Sequence, residues 1–406
     1  MGLTPAPDGR VVVIRGARVI DGVGDAARTD LDVIVTGELI SAIEPVDPAR
    51  QIPPDAVVID GSGATLLPGL IDCHAHYTID PTVEDGFALY DFESVERLVL
   101  RAAGMARRAL EGGVTTARSA GSPANLDVVL SAAIDAGQVA GPRMLAAGPA
   151  LTITGGHGYQ FGREADGPLE FVKAVRANVR DGAEVIKIVS SEAAMLTSRV
   201  AGVEEVSLAE LEAVVAEARR LQRRVLSHAQ NSEAVRRSAM AGVASVEHAF
   251  LADDAALETL LETGTTLVPT LTVTDVWKDL PGLTDAQRER QREIERLHRR
   301  SCESAIRLGI DVATGTDTGV RGVMPEMVWR EIVLLNDHGL SAMGAIRAAT
   351  SRAAMLLGLE SGIGTLEPGK RADLILVDGD PLHDLRRLEQ PRLVMQAGRL
   401  VPLAAA

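Results

Sequence analysis

Cysteine is nearly absent from this 406-residue chain: Cys73 and Cys302 stand far apart and outside any ligand spacing. That excludes a disulfide framework and a thiolate zinc site, and it points to a reducing compartment. Positive charge is also in deficit. With 41 Lys and Arg against 56 Asp and Glu the net charge is -15, so a nucleic-acid partner, which needs clustered basic residues on one face, is not expected. Clusters such as Arg219, Arg220, Arg223 and Arg224 alternate with apolar residues at helical spacing and read as solvated helix faces. No apolar run approaches a membrane span, and the opening MGLTPAPDGR lacks the charged-then-apolar pattern of a secretory signal. A cytoplasmic protein with no membrane partner is the expectation. Missing too is a Gly-rich phosphate fingerprint after the first strong strand, which weighs against a doubly wound open sheet.

What the chain does have is enough apolar residue, 46%, to bury one large core with an appendage. Both ends read as β. Val11 to Gly22, Leu31 to Pro45 and Ala56 to Gly69 are short β-rich runs broken by Gly, Asp and Pro, and Ala372 to Leu382 and Pro391 to Val401 look the same. Neither set makes a stable sheet alone, so the termini are expected to pair into a small β-sandwich over 1–63 and 359–406.

Between them, β-like runs alternate with helical ones. Eight are expected as strands: Leu66 to His76, Val114 to Gly121, Pro142 to Leu151, Glu184 to Ser191, Arg224 to Gln230, Ser245 to Phe250, Thr266 to Leu271 and Asp311 to Gly319. Phe92 to Gly112, Leu208 to Leu221 and Ala286 to Leu308 carry apolar residues at three-and-four spacing and are expected as helices. Eight βα repeats predict an α/β fold, a (β/α)8 TIM-type barrel over 64–358.

In such a barrel the chemistry lies at the C-terminal strand ends. His74 and His76 end the first run two residues apart, so both side chains point the same way. Lys187 lies in the fourth, His228 ends the fifth, His248 the sixth, and Asp317 ends ATGTD in the eighth. Imidazole nitrogen and carboxylate oxygen suit a borderline-soft ion such as Zn2+. Lys187, flanked by Ile186, Ile188 and Val189, is expected to lose its proton easily through desolvation, and a neutral amine can add carbon dioxide to give a bridging carbamate. The alternative is an ion pair with Glu184 or Glu192.

PGLIDCHAH, GVTTARSAG, VIKIVSS, the two later histidines, GTDTG and GIGTLEPGKRADLILVDGDPL together resemble the metal-dependent amidohydrolase superfamily in its binuclear, carboxylated-lysine form. GPALTITGGHG, Gly148 to Gly158, is similar to the prolidase-like and Xaa-Arg/Lys carboxypeptidase-like branch, whose relatives also hydrolyse N-acyl amino acids such as ochratoxin. The resemblance implies two divalent metal ions, most simply Zn2+, with His74, His76 and Asp317 on one, His228 and His248 on the other, and the Lys187 carbamate between them. Two metals about 3.5 to 4 Å apart make hydroxide available near neutral pH and polarise the scissile carbonyl. Asp317 is then the proton shuttle. A small-molecule substrate and a symmetric homo-oligomer are implied as well.

His157 in GGHG is expected to face the pocket and donate to a substrate carbonyl or carboxylate, its alternative being a solvated loop histidine. Tyr77, Arg118 and Tyr159 are further pocket candidates. Arg118 can clasp a substrate carboxylate through its planar fork or make a structural salt bridge. His298, His338 and His383 are assigned to solvated or capping roles. The chain departs from the branch where His228 is followed by Ala229 and Gln230 rather than by a small residue and then His or Tyr, so Gln230 offers an amide in place of a ring. It departs again at Ser119, where many relatives carry Asp. The function expected is hydrolysis of an amide bond in a dipeptide or N-acyl amino acid. The alternatives are another C–N bond, in a cyclic amide, imidazolone, urea or carbamate, and a non-catalytic scaffold, whose signature would be a lost ligand.

Overall fold

A computed structural model describes residues 10–193 and 205–403. Five strands come first: β1 (Val11–Val19), β2 (Arg28–Thr36), β3 (Leu39–Pro45), β4 (Val57–Asp60) and β5 (Ala64–Pro68). Then follow β6 (Leu70–Ala75), β7 (Val114–Ser119), β8 (Arg143–Leu145), β9 (Ala150–Thr152), β10 (Gly162–Glu164), β11 (Val185–Val189), β12 (Arg224–Asn231), β13 (Ser245–Leu251) and β14 (Thr266–Val268). The chain closes with β15 (Leu374–Asp378), β16 (Leu393–Gln396) and β17 (Arg399–Leu400).

Strands from the two termini do pair. They form one eight-stranded sheet in the order β17, β16, β15, β5, β1, β2, β3, with β4 also on β1. Leu31, Val33 and Val35 alternate inward along β2 as a half-buried strand requires. Hydrogen bonds link all eight into one sheet, β1 taking β2 antiparallel and β4 and β5 parallel along different stretches, and they do not confirm the expected sandwich of two facing layers.

The parallel strands make two sheets, β6, β7, β8 and β10, β9, β11, β12, β13, β14. β6, β7 and β11 are buried along their whole length, as strands covered on both faces must be. Helices Val95–Glu111, Leu208–Arg220 and Asp285–Leu308 lie within a residue or three of expectation and turn Leu98, Ala102, Leu211, Val214 and Ala305 inward.

A closed ring of eight regular strands is not formed, and two local causes are visible. The expected third strand breaks into β8 and β9 at Gly148, whose φ is +67°. The expected eighth, 311–319, is no regular strand but an extended segment bridged to its neighbours at Leu267 with Val312 and Ala75 with Thr318. Its bonds are nonetheless ordered: Leu267 N–H donates to Asp311 O (2.9 Å), Cys73 N–H to Thr314 O (2.9 Å) and Asp317 N–H to His74 O (2.8 Å). Gly315 permits that approach, since a Cβ there would lie 2.8 Å from His74 Cβ.

The expected first strand, Leu66 to His76, is divided at Gly69 between the terminal sheet and β6. Gly69 N–H donates to Asp373 O (2.9 Å), and a side chain at Gly69 would overlap Thr115 of β7. No helix among the described residues is long and apolar enough to cross a membrane. Overpacking at this joint predicts that Gly69→Ala destabilises the protein by about 1–3 kcal/mol. A thermal midpoint equal to that of the wild type would show that the joint has room.

Candidate active site

The C-terminal ends of the parallel strands carry an unusual backbone. His248, Ala249, Thr270 and Asp317 all have positive φ, at 75°, 51°, 58° and 58°, a region that non-glycine residues occupy only when the surroundings hold them there. At Asp317 the turn aims the carboxylate back across the strands. Its Oδ1 lies 3.4 Å from His74 Nε2 and 3.4 Å from His76 Nε2, and the three residues form a group able to hold a metal ion.

Around this triad the other expected residues converge. Rings of His74 and His248 are 4.8 Å apart, His228 and His248 4.5 Å, and His157 and His228 4.8 Å. His74, His76, Lys187, His228, His248, Asp317 and Gln230 line one small inner cavity of about 30 Å3, with His157, Phe161 and Trp277 at its walls. It shares Phe87, His157, Ala193, Trp277 and Val320 with an adjoining outer chamber of about 580 Å3, which Tyr159 and Arg321 also line. His157 belongs to both, its ring against Phe87 at 5.9 Å, so the loop histidine faces the cavity rather than bulk solvent.

Electrostatics favour ligation. Burial drives His228 and His248 well below the ordinary imidazole range and His76 to about 3, so all three present neutral nitrogens. Partial burial would raise the Asp317 carboxyl, but His74 and His76 outweigh that and hold it far below the usual range. Burial pulls Lys187 down to about 8, against the opposing pull of Glu247 and Asp317. Lys187 makes no ion pair with Glu184, whose carboxylate accepts from Ala146 N–H (3.3 Å), nor one with Glu192 among the described residues. His228 Nε2 is buried and has no hydrogen-bond partner among the described residues. A metal ion is what such an orphaned, neutral nitrogen beside a His-His-Asp group fits.

A shell behind the ligands was not foreseen. His74 Nδ1 meets Glu247 Oε2 at 2.7 Å, and His76 Nδ1–H donates to Gly121 O at 3.2 Å, which leaves each Nε2 lone pair toward the cavity. His248 Nδ1 pairs with Thr270 Oγ1 (2.8 Å). The Thr270 turn is held from behind by Glu331, which accepts from Leu271 N–H (2.9 Å) and Thr272 N–H (2.8 Å). Asp72 takes the Thr316 hydroxyl (2.6 Å) and the N–H groups of His74 and Thr316 (3.0 Å each). The signal was a charged residue inside each apolar run, Asp72 in GLIDCH and Glu247 in SVEHAF.

Three expectations need correcting. Arg118 does not face the cavity: it is buried and donates to Cys73 O (2.7 Å), Ser245 Oγ (3.0 Å) and Glu247 Oε1 (2.9 Å), so its fork is already spent on a structural partner. Tyr77 packs in the main core with Ala102 and Met105 rather than lining the pocket, because the chain turns after His76. His298 is buried, its ring tilted against Phe250 at 4.2 Å with Nδ1 at 2.9 Å from Thr274 Oγ1. His338 caps its helix and His383 is exposed, as expected.

Comparison with known proteins places this arrangement. The profile of the amidohydrolase family matches residues 65–401. Ochratoxinase of Aspergillus niger is 29% identical over 360 residues, covering 81% of this chain and 73% of that one. A crystal structure of a Xaa-Pro dipeptidase with methionine bound in its active site superposes with a TM-score of 0.88 at 29% identity, over 96% of this chain and 99% of that one. A prolidase complexed with N-methylphosphonate-L-proline gives 0.86 at 26% identity, over 97% and 100%. These neighbours imply a TIM-type barrel with mixed α/β content.

Glu247 offers a direct test. Burial would raise its carboxyl, yet the Arg118 cation and the His74 hydrogen bond outweigh that and hold it at about 2, below its ordinary 4.5. A depressed carboxylate stabilises the fold fully above its unfolded value and loses that contribution as pH falls through the folded one. The stability gap between wild type and Glu247→Gln, from denaturant unfolding, is therefore expected to be flat from about pH 5 upward and to narrow toward pH 2. A gap that grows on acidification would contradict this assignment.

Proposed function

The chain belongs to the amidohydrolase family and is a hydrolase of C–N bonds; from that premise we propose a binuclear, zinc-dependent amidase acting on a dipeptide or N-acyl amino acid. The observation that carries the reading is the convergence of His74, His76, Lys187, His228, His248 and Asp317 on one buried cavity. His74, His76 and Asp317 would hold one ion and His228 and His248 the other, and Lys187, as a carbamate, would be shared between them. When bound, the ions supply an acidified water and a Lewis acid for the scissile carbonyl.

The chain's own groups do the rest. Asp317, ionised beside two imidazoles, takes the proton that water releases as the C–O bond forms. It then delivers that proton to the amine nitrogen as the C–N bond breaks. His157, at the junction of the two chambers, donates to the substrate carbonyl or carboxylate, Gln230 contributes an amide to the inner wall and Tyr159 flanks the entrance. The names of the relatives support this substrate class: one is an ochratoxinase and two cleave or are named for cleavage beside proline. The same reading has the residues of 1–63 and 359–406 as a small domain beside a 64–358 barrel, a small-molecule substrate, a homo-oligomer and a cytoplasmic setting, the last supported by two buried, unpaired cysteines.

Purified protein is expected to carry about two metal ions per chain, and Lys187→Ala to lose at least one of them together with activity, by elemental analysis beside a turnover assay. Full metal content and activity in that variant would remove the bridge. A panel of dipeptides, N-acyl amino acids, lactams and aryl ureas is expected to give turnover on the first two classes. Activity confined to lactams or ureas would transfer the site to another C–N bond.

A further inference from the structure

Arg118 is consumed by Glu247, so the cation expected to meet a substrate carboxylate has to be sought elsewhere. Among the described residues lining the outer chamber, Arg321 is the one Lys or Arg. Among the described residues its one side-chain hydrogen bond goes from the guanidinium to Pro281 O at 3.2 Å, and it forms no ion pair with them. It is also half-buried, whereas Glu84 and Asp85 on the same wall are exposed, and Asp85 is engaged by the N–H groups of Phe87 and Ala88. A planar guanidinium on the chamber wall is available there to an anionic ligand.

Its place is set by the loop that also sets Asp317. Asp317 lines the inner cavity, Val320 both chambers and Arg321 the outer one. The loop is tight: Val320 N–H donates to Asp317 O (3.3 Å) and Gly319 N–H to Val323 O (3.1 Å). Trp277 Nε1–H clamps Arg321 O at 2.9 Å, and Gly322 N–H donates to Pro81 O at 2.8 Å. The backbone beneath the guanidinium is thus fixed relative to the proton-carrying carboxylate.

We propose that Arg321 is the specificity residue that binds the free carboxylate of the amino acid released by hydrolysis, with the scissile carbonyl in the inner cavity and the carboxylate in the outer chamber. This deepens the amidase reading and rests on it. The planar fork matches a carboxylate with two parallel N–H···O bonds. Glu84, Asp85 and Glu192 line the same chamber, and no ion pair joins Arg321 to any carboxylate among the described residues.

The experiment takes the best amino-acid substrate of the panel and its C-terminal amide, and compares kcat/KM for the two. Arg321→Met is expected to lower the acid-to-amide ratio by about 10- to 100-fold, mainly through KM for the acid, the range for a lost charge-assisted pair. Arg321→Lys, which keeps the charge without the fork, falls between it and the wild type. Inhibition by the released amino acid, which weakens in parallel, provides the same readout where the amide turns over too slowly, and near-ultraviolet circular dichroism checks that each variant folds. A ratio and an inhibition constant within about twofold of wild type would overturn the assignment while leaving the amidase reading intact. A wild-type enzyme that turns over no substrate bearing a free carboxylate overturns both.

Discussion

A buried charge pair underlies the site. Glu247 on β13 meets Arg118 on β7 at 2.9 Å and His74 on β6 at 2.7 Å, all almost fully buried. Either charge alone in that interior would cost several kcal/mol. Together, and with Ser245 and Cys73 O satisfying the remaining donors, they tie strands from the two parallel sheets to one another. The same contact orients the His74 ring and leaves its Nε2 for the cavity. It also uses up the guanidinium that would otherwise face the ligand, which is why an anion-binding role passes to the rim.

Backbone geometry carries the second constraint. Positive φ at His248, Thr270 and Asp317 re-aims side chains that regular strands would point along the pleat, and the last two positions are held from behind. Glu331 secures the Thr270 turn, and Asp72 secures the Thr316 segment next to Asp317. Burial raises Glu331 to about 7 and Asp72 to about 6, so both supports work against their own desolvation. Strain and desolvation of this kind concentrate at functional sites because the surrounding fold supplies the stability.

Much of the architecture was legible in local pattern. Short apolar runs marked β6, β7, β11, β12 and β13, since a strand covered on both faces needs apolar side chains along its length. Helix 208–220 was marked by its apolar spacing, and its last turn carries Arg219 and Arg220. The errors fall where a long-range contact overrides a local one. Gly69 divides an apparently single strand because Thr115 presses on it, and the segment 311–319 keeps an extended course without regular pairing because Gly315 lets it close on His74.

His74, His76, Lys187, His228, His248 and Asp317 could be named from the sequence because each ends or interrupts an apolar run, and a polar side chain at that place must face a cavity or a partner. Which of the two it faces is decided only in three dimensions. Arg118 interrupts a β-like run as Lys187 does, yet it meets a carboxylate from a strand more than a hundred residues away. Spacing along the chain determines which way a side chain points from its strand. The charge or ring that waits for it comes from the packing of strands remote in sequence, and only the tertiary structure decides that.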